Sequence, residues 1–194
     1  TINSYNYISK DEAFSAIEDC HEAFLKWKLT TLEERAEYIK AIAKALENNK
    51  ESFAKLMTQE MGKLLSESHQ EVELCMGICK YTAEKGVEQL QDVKRDLQNG
   101  GKGIIHYSPI GVIYGIQPWN FPLYQAIRYT IANLMAGNGV LLKHAKNVTG
   151  SALKLQAIFD EAGLLENIFK VLIIDHDTSD EIIEHKKVRG VTLT

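Results

Sequence analysis

The chain of 194 residues is long enough to bury a substantial core, and its 45% hydrophobic and 25% charged residues are ordinary for a soluble globular protein. Its formal net charge of −4 argues against a nucleic-acid groove, and no block of Lys and Arg indicates a polybasic membrane patch. No apolar run approaches the roughly 20 residues that span a bilayer. We therefore expect neither nucleic acid nor a membrane as a partner.

Cysteine usage and the first residues bear on the cellular compartment. An odd, sparse set of thiols, Cys20, Cys75 and Cys79, is typical of reduced cysteines in the cytosol. The first residues show no signal-peptide pattern, so the sequence predicts a cytoplasmic protein. Cys75 and Cys79 share one helical face, where they act either as small buried apolar side chains or as a metal or redox pair.

Residues 1–100 are predicted to be mainly helical. Ser9 with Glu12 and Thr31 with Glu34 both have the spacing of a capping box, in which each side chain satisfies an amide at the start of a helix. After the second box, apolar residues recur at helical spacing. Two helices are therefore expected to begin at these sites.

A third helix is predicted from Ser66 to about Leu97, with Gly62 marking the break before it. The Gly-rich segment 98–103 forms the clearest boundary in the chain. Residues 101–110 begin a short exposed strand, which we expect to pair with strands from elsewhere and so to favour association.

The pattern changes after this boundary to alternating apolar strands and amphipathic helices. Predicted strands cover 111–116, 139–143, 168–174 and 190–194, and predicted helices cover 123–136, 151–163 and 179–186. The last helix is expected to open with a capping box of Thr178 and Glu181, and Asn147 or Thr149 to cap the helix before it. Such alternation predicts an α/β fold, in which N-terminal helices precede a Rossmann-like parallel sheet with crossover helices.

A rigid segment follows the first of these strands. Pro118 and Pro122 restrict the backbone on both sides of Trp119, Asn120 and Phe121. In a parallel sheet this segment lies at the carboxyl edge, where ligands bind. The Asn120 amide is suited to donate a hydrogen bond to a developing oxyanion, and the alternative is that it caps the following helix.

Lys143 ends the next strand and should face the same crevice. Its ammonium either holds a phosphate or ribose hydroxyl or extends from the strand end into solvent. The turn 137–139 lacks the third glycine of a dinucleotide fingerprint and precedes a strand, so we interpret it as a helix-to-strand turn. The six histidines show no metal-ligand spacing, so no metal site is predicted.

Four segments together resemble the aldehyde dehydrogenase superfamily, and most closely its bacterial succinate-semialdehyde dehydrogenases. They are EMGKLLSES at 60–68, PIGVIYGIQPWNFP at 109–122, NLMAGNGVLLKHA at 133–145 and EAGL at 161–164. The resemblance covers essentially the whole chain and corresponds to the N-terminal segment of that family. It assigns residues 1–100 to the helical part of the cofactor-binding domain, 101–110 to the start of the oligomerisation strands, and 111–194 to the first βαβ units.

The resemblance implies oxidation of a small aldehyde, with NAD or NADP taking up the hydride from a cysteine thiohemiacetal. A thioester would follow and be hydrolysed. Asn120 would be the oxyanion donor, and Lys143 would bind the adenosine ribose. The cofactor cleft would be lined by residues of the two strand ends: Ile116, Gln117, Pro118, Trp119, Lys143, His144 and Lys146. Many members carry a glutamate at the position of Lys146. A cation in place of that acid is more compatible with the 2′-phosphate of NADP, so we expect either NAD or NADP as the cofactor.

Arg128 lies eight residues after Asn120 and matches an arginine with which succinate-semialdehyde dehydrogenases hold the far carboxylate of the substrate. The alternatives are a solvated helix arginine or a structural ion pair. A guanidinium is well suited to this role because it binds a carboxylate through two parallel hydrogen bonds.

The resemblance also implies that the catalytic domain is absent from this chain. The family continues beyond the position of Thr194 to its nucleophilic cysteine and glutamate, and Cys20, Cys75 and Cys79 all precede the sheet. We therefore expect the chain to be inactive alone and the complete enzyme to form a homodimer or homotetramer. The competing hypothesis is a non-catalytic nucleotide-binding or assembly module built from the same half-domain.

Overall fold

A computed structural model describes residues 2–98 and 100–194. Its helices are α1 (Lys10–Trp27), α2 (Leu32–Met61), α3 (Leu65–Leu90), α4 (Pro122–Met135), α5 (Thr149–Glu161) and α6 (His176–Glu184). Its strands are β1 (Val93–Asp96), β2 (Lys102–Ile105), β3 (Val112–Gln117), β4 (Gly139–His144), β5 (Phe169–Val171) and β6 (Val188–Leu193). A short 3₁₀ turn, Lys146–Val148, precedes α5.

The central sheet has the strand order β5-β4-β3-β6, and all of its pairs are parallel. The prediction of N-terminal helices followed by a parallel sheet with crossover helices is confirmed. Strands β3 and β4 are buried along nearly their whole length because helices cover both faces of the sheet. α1 and α6 pack on one face, and α4 and α5, backed by α2 and α3, pack on the other.

Several predicted boundaries are confirmed by local geometry. Both N-terminal capping boxes are present, with Ser9 and Thr31 each bonded reciprocally to the glutamate three residues on. Gly62 ends α2 in the left-handed conformation at φ 79°, and Gly137 turns from α4 into β4 at φ 90°. Glycine adopts this conformation without the steric cost that a Cβ would add.

The structure differs from the sequence prediction in two ways between the end of α3 and the end of β2. The third helix was predicted to reach Leu97, but α3 ends at Leu90 and Val93–Asp96 forms β1. β1 pairs antiparallel with β2, so the strand predicted within 101–110 has a local partner and does not depend on a later part of the chain. Backbone hydrogen bonds hold this hairpin, and they do not require an apolar side-chain pattern. Asn99, part of the predicted turn segment, lies outside the described residues.

Two helix caps also differ from the prediction. Thr178 and Glu181 do not form a capping box, because α6 begins earlier and the Asp175 carboxylate accepts the Thr178 amide at 2.8 Å. Neither Asn147 nor Thr149 caps α5; its N-cap residue is Val148, and the Thr149 hydroxyl donates to the Lys146 carbonyl.

Within the described residues, no helix combines the length and apolar character needed to cross a membrane. Among the same residues, no group of three or more His, Cys, Asp or Glu side chains is placed to hold a metal ion.

Candidate active site

The carboxyl ends of β3 and β4 lie side by side and direct two loops away from the sheet. Gln117 is the register partner of His144, and the Ala145 amide donates to the Gln117 carbonyl at 3.0 Å. The segment 118–121 therefore leaves the sheet directly beside the segment 145–147. The structure brings together the two segments that the sequence assigned to one crevice.

A cavity of about 370 Å³ opens along the ends of β4 and β5 beside these loops. Four of the predicted cofactor residues line it: Trp119, Lys143, His144 and Lys146. The other three, Ile116, Gln117 and Pro118, do not line this cavity. Gln117 is buried and neither of its amide atoms has a hydrogen-bond partner among the described residues.

The cavity also has walls that the sequence did not indicate. Tyr7 reaches it from the N-terminal segment, which is held beside the sheet by a hydrogen bond of 2.9 Å from the Ile8 amide to the Ile173 carbonyl. Asp175 lines the cavity at the start of α6. Its pKa is lowered mainly by the hydrogen bond from the Thr178 amide, which favours the carboxylate.

Lys143 is a buried cation at the edge of this cavity, with only 9% of its surface exposed. Burial lowers the pKa of its ammonium, and the charge of Asp175 partly opposes that effect. Among the described residues its ammonium makes no hydrogen bond or close ion pair. A buried ammonium without a partner is well suited to receive a hydroxyl or phosphate oxygen.

His144 connects the end of β4 to the rigid segment beside it. Its Nδ1 accepts the Ala145 amide at 3.0 Å, so Nε2 carries the proton that is donated to the Pro122 carbonyl at 2.8 Å. Burial is the main reason that the pKa of His144 is lowered, and the ring is neutral at neutral pH. Because both nitrogens are bonded to backbone, His144 contributes to the cavity wall and fixes Pro122.

Asn120 is exposed between two exposed aromatic side chains, Trp119 and Phe121. It does not cap the following helix, because α4 begins after Phe121 and has no side-chain cap of its own. Within the described residues the Asn120 side chain makes no hydrogen bond. Its amide is therefore available to an external acceptor, and the alternative of a helix cap is excluded.

The start of α4 is capped instead from α3. One carboxylate oxygen of Glu71, Oε1, accepts the amides of Leu123 and Tyr124, each at 2.9 Å. The other oxygen is paired with Lys63, and the side chains of this ion pair are only 1% and 8% exposed. The Lys63 ammonium also lies 3.7 Å from the centre of the Phe121 ring. Neither Lys63 nor Glu71 was predicted to be a functional residue, although Glu71 is a carboxylate beside Val72 on the apolar face of α3.

The start of α5 is capped in the same way from the end of α2. The Glu60 carboxylate accepts the Gly150 amide at 2.7 Å, the Ser151 amide at 2.8 Å and the Ser151 hydroxyl at 2.6 Å. Lys146, in the turn just before α5, is exposed. Glu60 thus fixes the helix that follows the predicted cofactor segment.

Arg128 is placed on the opposite side of β3 from this cavity. Its guanidinium lies 5.6 Å from the centre of the Tyr124 ring, and Nη2 donates to the Thr194 hydroxyl at 3.2 Å beside the end of β6. It forms no ion pair with a carboxylate in the described part of the chain. The arrangement leaves Arg128 with an uncompensated charge at the same edge of the sheet as Asn120.

None of the three cysteines is placed to act as a nucleophile. All are free and fully buried. Burial raises the pKa of Cys20 and of Cys79 to about 12, and it raises the pKa of Cys75 as well. These thiols are protonated at neutral pH, whereas the thiolate is the reactive form. Their environment is that of small apolar core residues.

Comparison with known proteins shows which proteins this chain is similar to. The model of the aldehyde dehydrogenase family matches residues 1–194. The chain is 34% identical over 194 residues to the succinate-semialdehyde dehydrogenase (NADP(+)) of Deinococcus radiodurans, covering 100% of this chain and 40% of that protein. It is 35% identical over 184 residues to the succinate semialdehyde dehydrogenase (NAD(P)+) Sad of Escherichia coli, covering 95% of this chain and 40% of that protein.

A solved structure gives the same correspondence in three dimensions. The succinic semialdehyde dehydrogenase from Streptococcus pyogenes, in complex with NADP+, superposes with a TM-score of 0.95 at 32% identity. That alignment covers 99% of this chain and 42% of the other chain. The chain therefore spans about 40% of the length of the relatives that it matches.

Proposed function

The chain belongs to the aldehyde dehydrogenase family, and we propose that the protein of which it is part oxidises succinate semialdehyde to succinate with NADP or NAD as the hydride acceptor. The observation that carries this proposal is the position of Asn120, whose side-chain amide is free and which lies between Trp119, in the cavity wall, and the anchored pair Phe121 and Pro122. Relatives named as succinate-semialdehyde dehydrogenases support the choice of substrate.

Asn120 has the chemistry to stabilise a tetrahedral intermediate on the aldehyde carbon. When a thiolate adds to the carbonyl, negative charge develops on its oxygen, and a preset N–H donor lowers the energy of that state without reorganising. The thiol has to come from outside this chain, because Cys20, Cys75 and Cys79 are buried and protonated. The proposed inactivity of the isolated chain follows from this requirement.

The position and charge of the cavity beside Lys143 support binding of part of a dinucleotide there. This cavity lies at the carboxyl ends of parallel strands, where such ligands bind, and it holds a buried ammonium that lacks a partner. Lys143 would hydrogen-bond the adenosine ribose, Trp119 would form one wall, and Lys146 would accommodate a 2′-phosphate. When bound, the nicotinamide supplies the hydride acceptor for the oxidation.

Arg128 supplies the proposed substrate specificity. Its guanidinium has no carboxylate partner in the described part of the chain and lies near the edge at which Asn120 is held. A carboxylate at the far end of a short aldehyde would neutralise this charge through two hydrogen bonds. Succinate semialdehyde has that carboxylate, whereas simple alkyl aldehydes do not.

We also propose that the full-length protein is a cytoplasmic homodimer or homotetramer that associates through the β1–β2 hairpin. The hairpin exposes apolar side chains, with Ile104 at 63% and Ile105 at 45% exposure. Sedimentation of the full-length protein measures its size, and replacing both residues with threonine should shift it towards the monomer.

The central test measures aldehyde-dependent reduction of NADP or NAD by the full-length protein and by its Asn120→Ala variant. Loss of one oxyanion donor is expected to lower kcat by about 10²–10³ while cofactor affinity stays near that of the wild type. A wild-type protein that binds the cofactor but reduces none with any aldehyde would instead support the binding or assembly module. Near-normal turnover by Asn120→Ala, with chemistry limiting, would remove Asn120 from the mechanism.

A further inference from the structure

Two carboxylates at the junction of α2 and α3 connect the N-terminal helices to both loops of the proposed site. We define this junction, residues 60–71, as the α2–α3 corner. Glu60, at its start, accepts the first amides of α5, and Glu71, at its end, accepts those of α4. The first amides of a helix lack intrahelical partners and carry partial positive charge, so a carboxylate stabilises them doubly.

The two helices follow the two segments that carry different functions. α4 begins immediately after Asn120 and Phe121, whereas α5 follows the segment that contains Lys143 and Lys146. The N-cap residues of both helices make no side-chain cap. Glu71 and Glu60 therefore cap α4 and α5 from a distance, and both carboxylates belong to the α2–α3 corner.

The contact at Glu71 extends to the residue next to Asn120. Lys63 pairs with Glu71 and places its ammonium on the Phe121 ring, while both charged side chains are almost fully buried. Removing the charge of Glu71 leaves a buried cation without its anion and weakens two hydrogen bonds at the start of α4. The direction of the backbone at Phe121, and therefore at Asn120, depends on this pair.

We propose that the α2–α3 corner positions the two halves of the site independently, with Glu71 positioning the Asn120 oxyanion donor and Glu60 positioning the Lys143–Lys146 cofactor segment. The inference rests on the proposed function. Neither carboxylate is a catalytic residue, since each acts through the loop that it anchors. Loss of the Glu71 carboxylate should therefore impair the chemical step, whereas loss of the Glu60 carboxylate should impair cofactor binding.

The test compares Glu71→Gln and Glu60→Gln in the full-length protein, because glutamine keeps the size of the side chain and one acceptor oxygen but removes the charge and the second acceptor. Glu34→Gln serves as the matched control, since Glu34 takes part in a capping box at the start of α2. Cofactor Kd is measured from the quenching of tryptophan fluorescence, to which Trp119 in the cavity wall contributes, and kcat is measured at saturating aldehyde and cofactor.

Glu71→Gln is expected to lower kcat about ten- to hundredfold, as a small displacement of a reacting group does, and to change the cofactor Kd by less than about threefold. Glu60→Gln is expected to raise the cofactor Kd about tenfold, with a smaller effect on kcat at saturation. Glu34→Gln should leave both quantities near the wild-type values. Equal effects of Glu71→Gln and Glu60→Gln on both quantities would show a general loss of stability and overturn the proposal.

A second variant covers the case in which Glu71→Gln fails to fold. The double variant Lys63→Met/Glu71→Gln removes the unpaired cation together with the carboxylate and should still show the loss of kcat. Wild-type kcat in the folded double variant would refute the positioning role. A wild-type protein without any aldehyde oxidation would refute the proposed function instead, so the two failures are distinguishable.

Discussion

Replacing Arg128 with leucine in the full-length protein is expected to damage oxidation of succinate semialdehyde far more than oxidation of butyraldehyde. The guanidinium is exposed, lies over the Tyr124 ring and donates to the neutral hydroxyl of Thr194. The Tyr124 ring restricts the orientation of the arginine. When the substrate binds, its carboxylate would replace the neutral Thr194 hydroxyl as the acceptor, and a charged acceptor makes a stronger hydrogen bond. Butyraldehyde lacks the carboxylate and serves as the internal reference.

The size of the effect follows from the kind of contact that is lost. A hydrogen bond to a charged group contributes about 1.5–3 kcal/mol, which corresponds to about ten- to hundredfold in kcat/KM. Because Arg128 is exposed in this chain, solvent screening places the expected loss near the lower end, at about tenfold. The loss for butyraldehyde should stay within about twofold, since leucine preserves the apolar contact with Tyr124.

The assay is the initial rate of cofactor reduction with each aldehyde across a range of concentrations. Arg189→Leu is the matched control, because Arg189 is an exposed arginine at the start of β6, at the opposite end of that strand from the Thr194 that Arg128 contacts. Ionic strength provides a second measure, since added salt should weaken only the wild-type preference for the acid aldehyde. Equal losses for the two aldehydes in Arg128→Leu would refute the carboxylate role and leave a general aldehyde dehydrogenase.

Two further predictions concern cofactor choice and pH. Lys146→Glu should shift the preference from NADP towards NAD, because a carboxylate repels a 2′-phosphate and accepts ribose hydroxyls; an unchanged ratio of the two kcat/KM values would contradict the role of Lys146. The pKa of His144 is lowered in the folded state, so below the unfolded pKa of about 6.5 the unfolded state binds more protons than the folded state. The free energy of unfolding therefore decreases as the pH is lowered from about 6.5. Melting temperatures between about pH 5 and 7 should therefore depend on pH less steeply in His144→Gln, and parallel profiles would show that His144 titrates normally.

The order of secondary structure was determined by local sequence. Apolar strands bounded by glycines and helices opened by Ser9 and Thr31 carry their signal within a few residues, so the α/β class and the parallel sheet followed from the pattern alone. The position of the rigid segment was equally local, because Pro118 and Pro122 restrict the backbone wherever they occur. The family resemblance rests on the same segments.

Other features depended on partners that are distant in the chain. Val93–Asp96 carries no strand pattern in its side chains and becomes β1 through backbone pairing with β2. The caps of α4 and α5 were misassigned or missed because the groups that satisfy those amides come from α3 and α2. A local cap is visible in a short stretch of sequence, whereas a distant cap requires the packing of two helices to be known.

The candidate site also combines features set by local sequence with features set by distant partners. The sequence alone determined which residue types stand at the ends of β3 and β4, including Asn120 and Lys143, because these follow directly from strand boundaries. Only the tertiary structure decided that Glu71 and Glu60 hold the helices after those ends and that Arg128 lies across β3 from the cavity. The physical reason is that the buried Glu71 carboxylate needs partners to offset its desolvation, and the groups that supply them come from elements that are far apart in the sequence.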